Sequence, residues 1–272
     1  LRREEVVAID GKTSRRSGKA GATPLHLVSA FAAEAGVVLG QRATAAKSNE
    51  KTAIPELLTT LALEGCIVTI DAMGTQPNIA QTIRDRGADY VLAVKDNQPT
   101  LAESIEDFVS AFDAAPERTP HRFHEVVEKD HGRLEVRRCH VFDQLDCLHA
   151  PERWPDLKSF AMITSERTIA GKTSVERRVY LSSLAPDAER MNRAVRQHWR
   201  VENSLHWCMD VVFRDDQART RTDHAAHNLA VLRQLVLNLL RTAPVKRKGG
   251  LQVQRLIAAT SDSFRAQLLG LV

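Results

Sequence analysis

The sequence predicts an α/β fold in which helices flank a mixed sheet and a β-rich insertion precedes the last helices. Three observations favour this class. Between residues 49 and 112, apolar strand-like stretches alternate with stretches of helical spacing, which is typical of a parallel sheet covered by helices. Residues 119–184 instead contain four strand-like stretches in a row. Two strongly amphipathic helical stretches follow them.

The beginning of the chain predicts a three-stranded antiparallel meander. "EVVAID" reads as a buried strand ending at Asp10, and the "GKTSRRSGKAG" after it has the glycine and serine content of a loop. "LHLVSAFAAEAGVVLGQRAT" predicts two further strands joined by a turn around residues 34–36. We therefore expect Asp10 at the end of the first strand, followed by a basic loop.

Strands and helices alternate in the next part of the chain. "NEKTAIPELLTTLALEG" predicts a helix with Pro55 in its first turn and its end at Gly65. "CIVTID" predicts an apolar strand that ends at Asp71. A helix, a strand at residues 90–94 and a helix from about Pro99 follow. This alternation predicts the parallel part of the sheet.

The remaining pattern divides the chain into segments. Beyond the insertion, "DAERMNRAVRQHWRVENSLHWCMDVVF" predicts one helix to about Met209, and "DHAAHNLAVLRQLVLNLLR" predicts another. "KRKGG" at 246–250 has the composition of a linker before a short terminal helix. The predicted segments are residues 1–118 and 185–245 as two parts of one core, 119–184 as the insertion, and 246–272 as linker and helix.

Composition points to an ordinary soluble protein. The chain has 272 residues, 43% of them hydrophobic and 26% charged, with 38 basic against 34 acidic side chains and a formal charge of +4. This balance mildly favours a polyanionic partner. The apolar stretch "NLAVLRQLVLNLL" is broken by Arg233 and Gln234, and a membrane helix needs about 18 apolar residues or more. No secretory signal is evident, so we expect a cytoplasmic protein without a membrane span.

Zinc is a minor alternative at one cluster of cysteines and histidines. The four cysteines form no CxxC pair, which favours reduced thiols. "CHVFDQLDCLH" nevertheless gathers Cys139, His140, Cys147 and His149 within a short stretch. Its spacing matches none of the usual zinc-ligand patterns, so a zinc site here is disfavoured.

Two aspartates at strand ends are candidate metal ligands. Asp10 and Asp71 each follow an apolar strand, where a side chain reaches the rim of the sheet while the strand fixes its position. Hard cations such as Mg²⁺ need oxygen ligands, and two ions together can promote phosphoryl transfer. A third acid must come from elsewhere. The candidates are Glu202, Asp210, Asp215 and Asp216. Alternatively, both strands simply end where the chain reaches solvent.

"HWRVENSLHW" contains a second group of candidate ligands. On a helix, His198, Glu202 and His206 share one face because they are four residues apart. A zinc site is one interpretation, although the spacing differs from that of helical zinc proteases. A surface helix with apolar tryptophans and ion pairs is another. In the third interpretation, Glu202 alone meets partners from distant parts of the chain.

Five stretches of the sequence stand out together: "AIDGKT", "TIDAMGTQ", "VLAVKDNQPTL", "HGRLEVRR" and "HWRVENSLHWCMDVVFRDD". In their order and variety they resemble the insertion-sequence DDE transposases of the H-repeat-associated type. The likeness extends from residue 6 to about residue 242. It implies an RNase H-like catalytic core, with a mixed sheet flanked by helices and a β-rich insertion before the helix carrying the last catalytic acid.

The resemblance implies a role for three acids. Asp10 matches the family's first catalytic aspartate, Asp71 its second, and Glu202 its glutamate. These residues would hold two Mg²⁺ ions, for which Mn²⁺ can substitute. The sequence leaves open whether Asp210 or Asp216 assists them.

Around the glutamate the sequence departs from the wider group of related transposases. Those proteins often have a tyrosine, an arginine and a lysine where this chain has Val195, His198 and Met209. The roles of those three side chains cannot be transferred. Arg196 and Arg200 lie two positions away and are candidate phosphate contacts instead.

The implied activity is cleavage at transposon ends by water, followed by strand transfer by the freed 3′ hydroxyl. Implied partners are the terminal repeats, target DNA, and further copies of the chain in a dimer or larger synaptic assembly on nucleoid DNA. The resemblance also implies an upstream segment, which we expect this chain to lack. A transposase-derived DNA-binding protein without catalysis is the alternative.

Several residues are predicted to contact DNA. Lys12, Arg15 and Arg16, with Lys19, form a basic stretch after the first acid that could neutralise phosphates or simply be solvated. Another pair follows the strand at 90–94, and others surround Glu202. The full predicted set is Lys12, Arg15, Arg16, Lys95, Asn97, Arg196, His198, Arg200 and Asn203.

Overall fold

One mixed sheet organises the protein. The computed structural model describes residues 1–18, 23–44, 50–130, 132–244 and 248–271. Within these residues the strands are β1 Val6–Thr13, β2 His26–Ala32, β3 Val37–Thr44, β4 Ile67–Ile70, β5 Asp89–Val94, β6 Arg122–Asp130, β7 Arg133–Phe142, β8 Ser159–Ile169 and β9 Lys172–Ser182. The α-helices are α1 Glu50–Thr59, α2 Pro77–Asp85, α3 Pro99–Ala114, α4 Ala188–His198, α5 Ala225–Thr242, α6 Leu251–Thr260 and α7 Asp262–Leu268.

The strand order is β3-β2-β1-β4-β5-β9-β8-β7-β6. The predicted meander is confirmed, because β2 pairs antiparallel with both β1 and β3. The predicted parallel part is also confirmed, in β4 and β5, and β1 joins it by pairing parallel with β4. Strand β9 pairs antiparallel with β5, so the β-rich segment continues the same sheet.

Helices cover both faces of the sheet, and the side chains of β1 pack alternately against the helices of one face and those of the other. Val7 and Ile9 belong to a hydrophobic cluster with α1, α2 and α3. Ala8 instead packs with Val201, Leu205 and Leu237 on the opposite face. Because side chains of a strand alternate between faces, Asp10 lies on the same side as Ala8. The candidate acid therefore faces the layer formed by α4 and α5.

The predicted end of the first strand is wrong. Strand β1 does not stop at Asp10 but continues to Thr13. Its last residues pair with β2, including Lys12 opposite Leu27 and Thr13 opposite His26. The neighbouring strand therefore supplies a hydrogen-bonded ladder where local composition indicates a loop. Asp10 still marks a boundary, because the pairing of β1 with β4 ends at Ile9.

Helix α1 also differs from its prediction. It ends at Thr59 rather than Gly65, and Pro55 is its sixth residue rather than part of the first turn. The chain tightens after the helix, where the Thr60 and Leu61 amides donate to carbonyls three residues earlier. The leucines of this turn remain buried, which explains why the apolar spacing suggested a longer helix.

The remaining predictions concern the linker, the cysteines and the absence of a membrane span. Of the proposed linker, residues 246 and 247 lie outside the described residues, as does Lys19. All four cysteines are free, in agreement with the prediction of unpaired thiols. Among the described helices, none combines the length and apolar character needed to cross a membrane.

Candidate active site

The two predicted aspartates occupy neighbouring positions, Asp10 on β1 and Asp71 directly after the adjacent parallel strand β4. Ile9 pairs with Ile70, and the next residues are Asp10 and Asp71. Adjacent strands are about 4.8 Å apart, so the register brings the two backbones together at the rim. The Asp10 carboxylate accepts a 2.8 Å hydrogen bond from the Gly11 amide. Asp71 is exposed, and its Oδ1 accepts from the Met73 amide at 3.2 Å.

Glu202 lies on a π-helical turn rather than on the predicted α-helix. Helix α4 ends at His198, and π-helical segments follow at Val201–His206 and Cys208–Val212. The Trp207 amide donates to the Glu202 carbonyl, five residues back, as π-helical bonding requires. Such turns are rare and occur frequently at functional sites. The predicted helical stretch to about Met209 is therefore present, but its second half is π-helical rather than α-helical.

His206 joins the acids of β1 and the π-helical turn. Its Nδ1 lies 3.4 Å from Asp10 Oδ2 and 3.4 Å from Glu202 Oε2. Potential ligand atoms of these three residues all lie within 4.8 Å of one another. Within the described part of the chain, no other group of three or more such residues comes as close. The structure thus brings Asp10 and Glu202 together, adds His206, and leaves Asp71 outside this tight group.

The acids influence one another electrostatically. The pKa of Asp10 is raised to about 6, chiefly by burial; the charge of His206 opposes this rise, and the charges of Glu202 and Asp71 add to it. The pKa of Glu202 is lowered, chiefly by its contact with His206. When carboxylates lie close together in a partly buried site, a bound divalent cation reduces the repulsion between their charges. The oxygen donors fit such an ion.

The zinc interpretation of His198, Glu202 and His206 is wrong. His198 Nδ1 lies 2.9 Å from the Thr69 hydroxyl on β4, so its ring is directed to the sheet. Burial lowers its pKa to about 4, which keeps it neutral. It does not belong to the group of close ligand atoms, in which Asp10 takes its place.

The cysteine and histidine cluster forms no zinc site either. Cys139 is buried in a cluster on the α4 side of the sheet. The next residue, His140, points to the other side, where its ring packs on Phe112 at 5.1 Å. These residues, all of which the structure describes, do not bring their ligand atoms together in a metal-like group.

Two residues of the basic stretch after Asp10, Lys12 and Arg15, form ion pairs within the protein. Lys12 Nζ lies 2.6 Å from Asp210 Oδ1 and 3.7 Å from Asp216 Oδ1. Arg15 is 81% exposed and approaches Asp216 at 3.6 Å. Arg16 is exposed too, and its carbonyl accepts from Arg221. The two candidate helper acids thus contact Lys12 and stand outside the group of close ligand atoms.

A groove extends from Asp71 along α4. A cavity of about 610 Å³ is lined by Asp71, Lys95, Asn97 and His198, among others. A second cavity of about 430 Å³ is lined by Arg196, Glu202, Asn203 and residues of β7 to β9. Both are bordered by Arg178, Tyr180, Val195 and Trp199. We call the two cavities together the α4 groove. Arg178 stacks over the Trp199 ring at 4.1 Å.

Sequence reasoning missed the arginines of the β-rich segment. Four of them line the second cavity: Arg133, Arg137, Arg167 and Arg178. Arg137 is buried with its Nε unpaired, and its other nitrogens contact Glu128 and Glu135. Alternation along the strands was visible in the sequence, but the strand register that places these side chains on one face was not.

The predicted cations nearer Glu202 differ in accessibility. Arg196 contacts Glu128 at 3.5 Å and is 40% exposed. Arg200 and Asn203 are exposed, and the Asn203 amide is 3.5 Å from the Trp199 carbonyl. At the far end of the groove Lys95 is exposed, while Asn97 is half-buried near the Thr75 carbonyl.

The chain is similar in sequence to several proteins of Escherichia coli. The chain is 38% identical to the Escherichia coli K12 protein YbfL over 98% of its own length and 71% of that protein. It is also 38% identical to the "H repeat-associated putative transposase YhhI" of the same strain, with the same coverage. A protein of E. coli O157:H7 named "Putative transposase YncI" is 40% identical over 97% of this chain and 69% of that protein.

The fold has a counterpart among solved structures. It resembles the piggyBac transposase in a synaptic complex with hairpin DNA, with a TM-score of 0.53, 10% identity and 98% of this chain covered. The chain spans only 54% of that structure. The likeness confirms the predicted RNase H-like fold. The family model described as "Transposase DDE domain" matches residues 1–239, and the chain belongs to this family.

Proposed function

We propose that this protein is a metal-dependent transposase that cleaves DNA at transposon ends and joins the freed 3′ hydroxyl to target DNA. The convergence of Asp10 and Glu202 on one small site, with Asp71 on the adjacent strand, is the observation that carries the proposal. Membership of the family supports it. The piggyBac transposase of similar fold forms a synaptic complex with hairpin DNA, which supports assembly of this chain on DNA, as a dimer or larger complex.

The donor set suits divalent cations. Asp10, Asp71 and Glu202 would hold two Mg²⁺ ions, or Mn²⁺, which when bound activate the attacking oxygen and stabilise the leaving one. The chain itself orients the ligands. Gly11 fixes the Asp10 carboxylate, and the Met73 amide fixes that of Asp71. No side-chain nucleophile is needed.

The α4 groove provides a path for the substrate backbone. Arg196, Arg200 and Asn203 lie beside Glu202, and Lys95 and Asn97 lie beyond Asp71. We place phosphates along this line, with Arg15 and Arg16 at the other side of the site. Lys12 would contact DNA only by leaving Asp210, and His198 lines the groove while held by Thr69.

A DNA-nicking assay tests this function. The substrate carries the terminal repeats of the element, and the variants are Asp10→Ala, Asp71→Ala and Glu202→Ala. Each is expected to lower the Mg²⁺-dependent rate by about a thousand-fold or more, equivalent to about 4 kcal/mol of barrier. Asp262→Ala, at a 94% exposed carboxylate far along the chain, serves as the control. If one of the three variants kept its nicking activity, the substituted residue would not belong to the active site.

The non-catalytic alternative has its own signature. A transposase-derived DNA-binding protein would bind the repeats with no metal-dependent nicking by the wild type, even with an upstream segment supplied. The acids would then tolerate substitution without loss of DNA binding. Their present close arrangement favours catalysis.

Arginines of the β-rich segment are expected to strengthen DNA binding. Arg133 and Arg167 are 38% and 52% exposed in the groove. Replacing both with alanine is expected to weaken binding about tenfold at moderate salt and to reduce the slope of log affinity against log salt by about 2. Fluorescence anisotropy over a salt series measures this. Arg118→Ala, at an 83% exposed arginine outside the groove, should leave the slope unchanged. An equal effect of Arg118→Ala would contradict the assignment.

A further inference from the structure

His206 occupies an unusual position for a histidine on a helical turn. Its side chain is only 9% exposed, and Nδ1 is equally distant, at 3.4 Å, from carboxylate oxygens of two candidate metal ligands. Leu205 beside it belongs to the cluster that packs the π-helical segment on β1. The ring is therefore held in place by the fold, with one nitrogen aimed at the acids.

The other ring nitrogen faces a different environment. His206 Nε2 is buried and has no hydrogen-bond partner in the described structure, and the same is true of Gln234 Oε1. Both residues line one cavity of about 10 Å³, together with Ser29. That volume is about what one buried water requires, and the mainly apolar lining includes the polar side chains of His206, Gln234 and Ser29. A water here would accept from Nε2–H and donate to Gln234, which leaves the Nδ1 lone pair directed at the acids.

Histidine ligands to metals are commonly fixed in this way, through a hydrogen bond from the second nitrogen. Imidazole nitrogen suits transition ions, whereas Mg²⁺ takes oxygen ligands almost exclusively. A nitrogen donor beside two carboxylates would therefore change which ion the site prefers.

We propose that His206 Nδ1 is a ligand to the divalent ion held by Asp10 and Glu202, and that it biases this site toward Mn²⁺ and Co²⁺ over Mg²⁺. The inference rests on the proposed function for the presence of the ion. It assigns His206 a direct bond to that ion. Gln234 acts through His206 as a positioning residue.

A structural role for His206 makes the opposite prediction. A histidine that only neutralises the two acids occupies the place that an ion would take. Its removal would then raise the affinity for every divalent ion, Mg²⁺ included. The two roles are separated by the sign of the change in affinity.

The test measures metal binding to the full chain without DNA, so it is independent of nicking. Titration calorimetry compares Mn²⁺, Co²⁺ and Mg²⁺ on wild type, His206→Ala and the control His224→Ala, which changes an exposed histidine outside the site. His206→Ala is expected to lower Mn²⁺ and Co²⁺ affinity at least about tenfold and Mg²⁺ affinity less than about threefold. Unchanged Mn²⁺ affinity, or higher affinity for all ions, would overturn the proposal.

Pulsed electron paramagnetic resonance of bound Mn²⁺ gives a second readout. Wild type is expected to show coupling to an imidazole nitrogen that is missing in His206→Ala and retained in Gln234→Leu, with weaker Mn²⁺ binding in the latter. His206→Asn, a smaller polar change, repeats the test should the alanine variant fail to fold. Absence of nitrogen coupling in wild type would remove His206 from the ligands. Metal binding by the wild type without any metal-dependent nicking would instead count against the proposed function and would leave the assignment of His206 intact.

Discussion

Asp10→Asn is expected to make the metal-free protein more stable while it removes DNA cleavage. Asp10 is largely buried beside Glu202 and Asp71, and this environment raises its pKa from the ordinary 3.8 to about 6. At neutral pH the folded protein must keep a carboxylate charged where the neutral acid is favoured. Asparagine has nearly the same shape, carries no charge, and can still accept the Gly11 amide. The gain is expected to be about 2 to 3 kcal/mol.

The pH dependence follows from the same shift. Between pH 3.8 and about 6, the folded state binds more protons at Asp10 than the unfolded state does. The stabilising contribution of protonated Asp10 is therefore complete below pH 3.8 and is lost as the pH rises through about 6. Asp10→Asn should consequently stabilise most above pH 7 and progressively less toward pH 5.

Urea denaturation in the presence of a chelator, from pH 5 to pH 8, measures both effects. Asp262→Asn is the control, since its carboxylate is 94% exposed and should change stability by no more than about 0.5 kcal/mol at any pH. An Asp10→Asn protein that was less stable than wild type at pH 8 would show that burial and the neighbouring acids do not disfavour the charged form of Asp10 in the folded state.

The sequence was sufficient for the elements that local pattern specifies. The strands around Asp10 and Asp71 are predicted because apolar β-branched residues cluster there, and the parallel pairing of β4 with β5 follows from the helix between them. The family resemblance then singled out Glu202. None of this required knowledge of distant contacts.

The remaining features depend on contacts between distant residues. The π-helical turn was not predictable, because Val201, Leu205 and Cys208 have a spacing that an α-helix also satisfies. Lys12 was assigned to DNA from its basic neighbours, yet it contacts Asp210, almost two hundred residues away. The sequence groups His206 with His198 and Glu202 as candidate zinc ligands and not with Asp10, since the contact between His206 and Asp10 exists only in the folded chain.

The β-rich segment illustrates the same limit. Its four strands were predicted, but their attachment to the central sheet depends on β9 pairing with β5, across more than eighty residues of sequence. That single pairing puts the arginines of β7 to β9 on the same face as α4 and Glu202. The groove therefore arises from sheet order rather than from any local motif.

Glu50→Ala is expected to destabilise the protein by about 3 kcal/mol or more, through a buried contact behind the active site. Glu50 Oε1 lies 2.6 Å from His26 Nε2, and both side chains are at most 5% exposed. The other His26 nitrogen lies 2.7 Å from the Thr13 hydroxyl on β1. Removing the carboxylate leaves a buried imidazole nitrogen without a partner and opens a cavity, and each of these carries a cost.

The contact between His26 and Glu50 also affects Asp10, because the two side chains lie directly against Gly11, the next residue of β1. A Cβ on Gly11 would come within 2.7 Å of His26 Nε2, so the strand passes close to the pair and only glycine fits. Glu56→Ala, on the same helix but in a half-exposed pair with Arg42, provides the matched control and should cost about 1 kcal/mol or less. Chemical denaturation of the two variants measures the difference. The double variant His26→Leu, Glu50→Leu should recover part of the loss, because it removes both polar partners together. If it were less stable than Glu50→Ala, the pair would serve to shape the strand beside Asp10 as well as to satisfy its own hydrogen bonds.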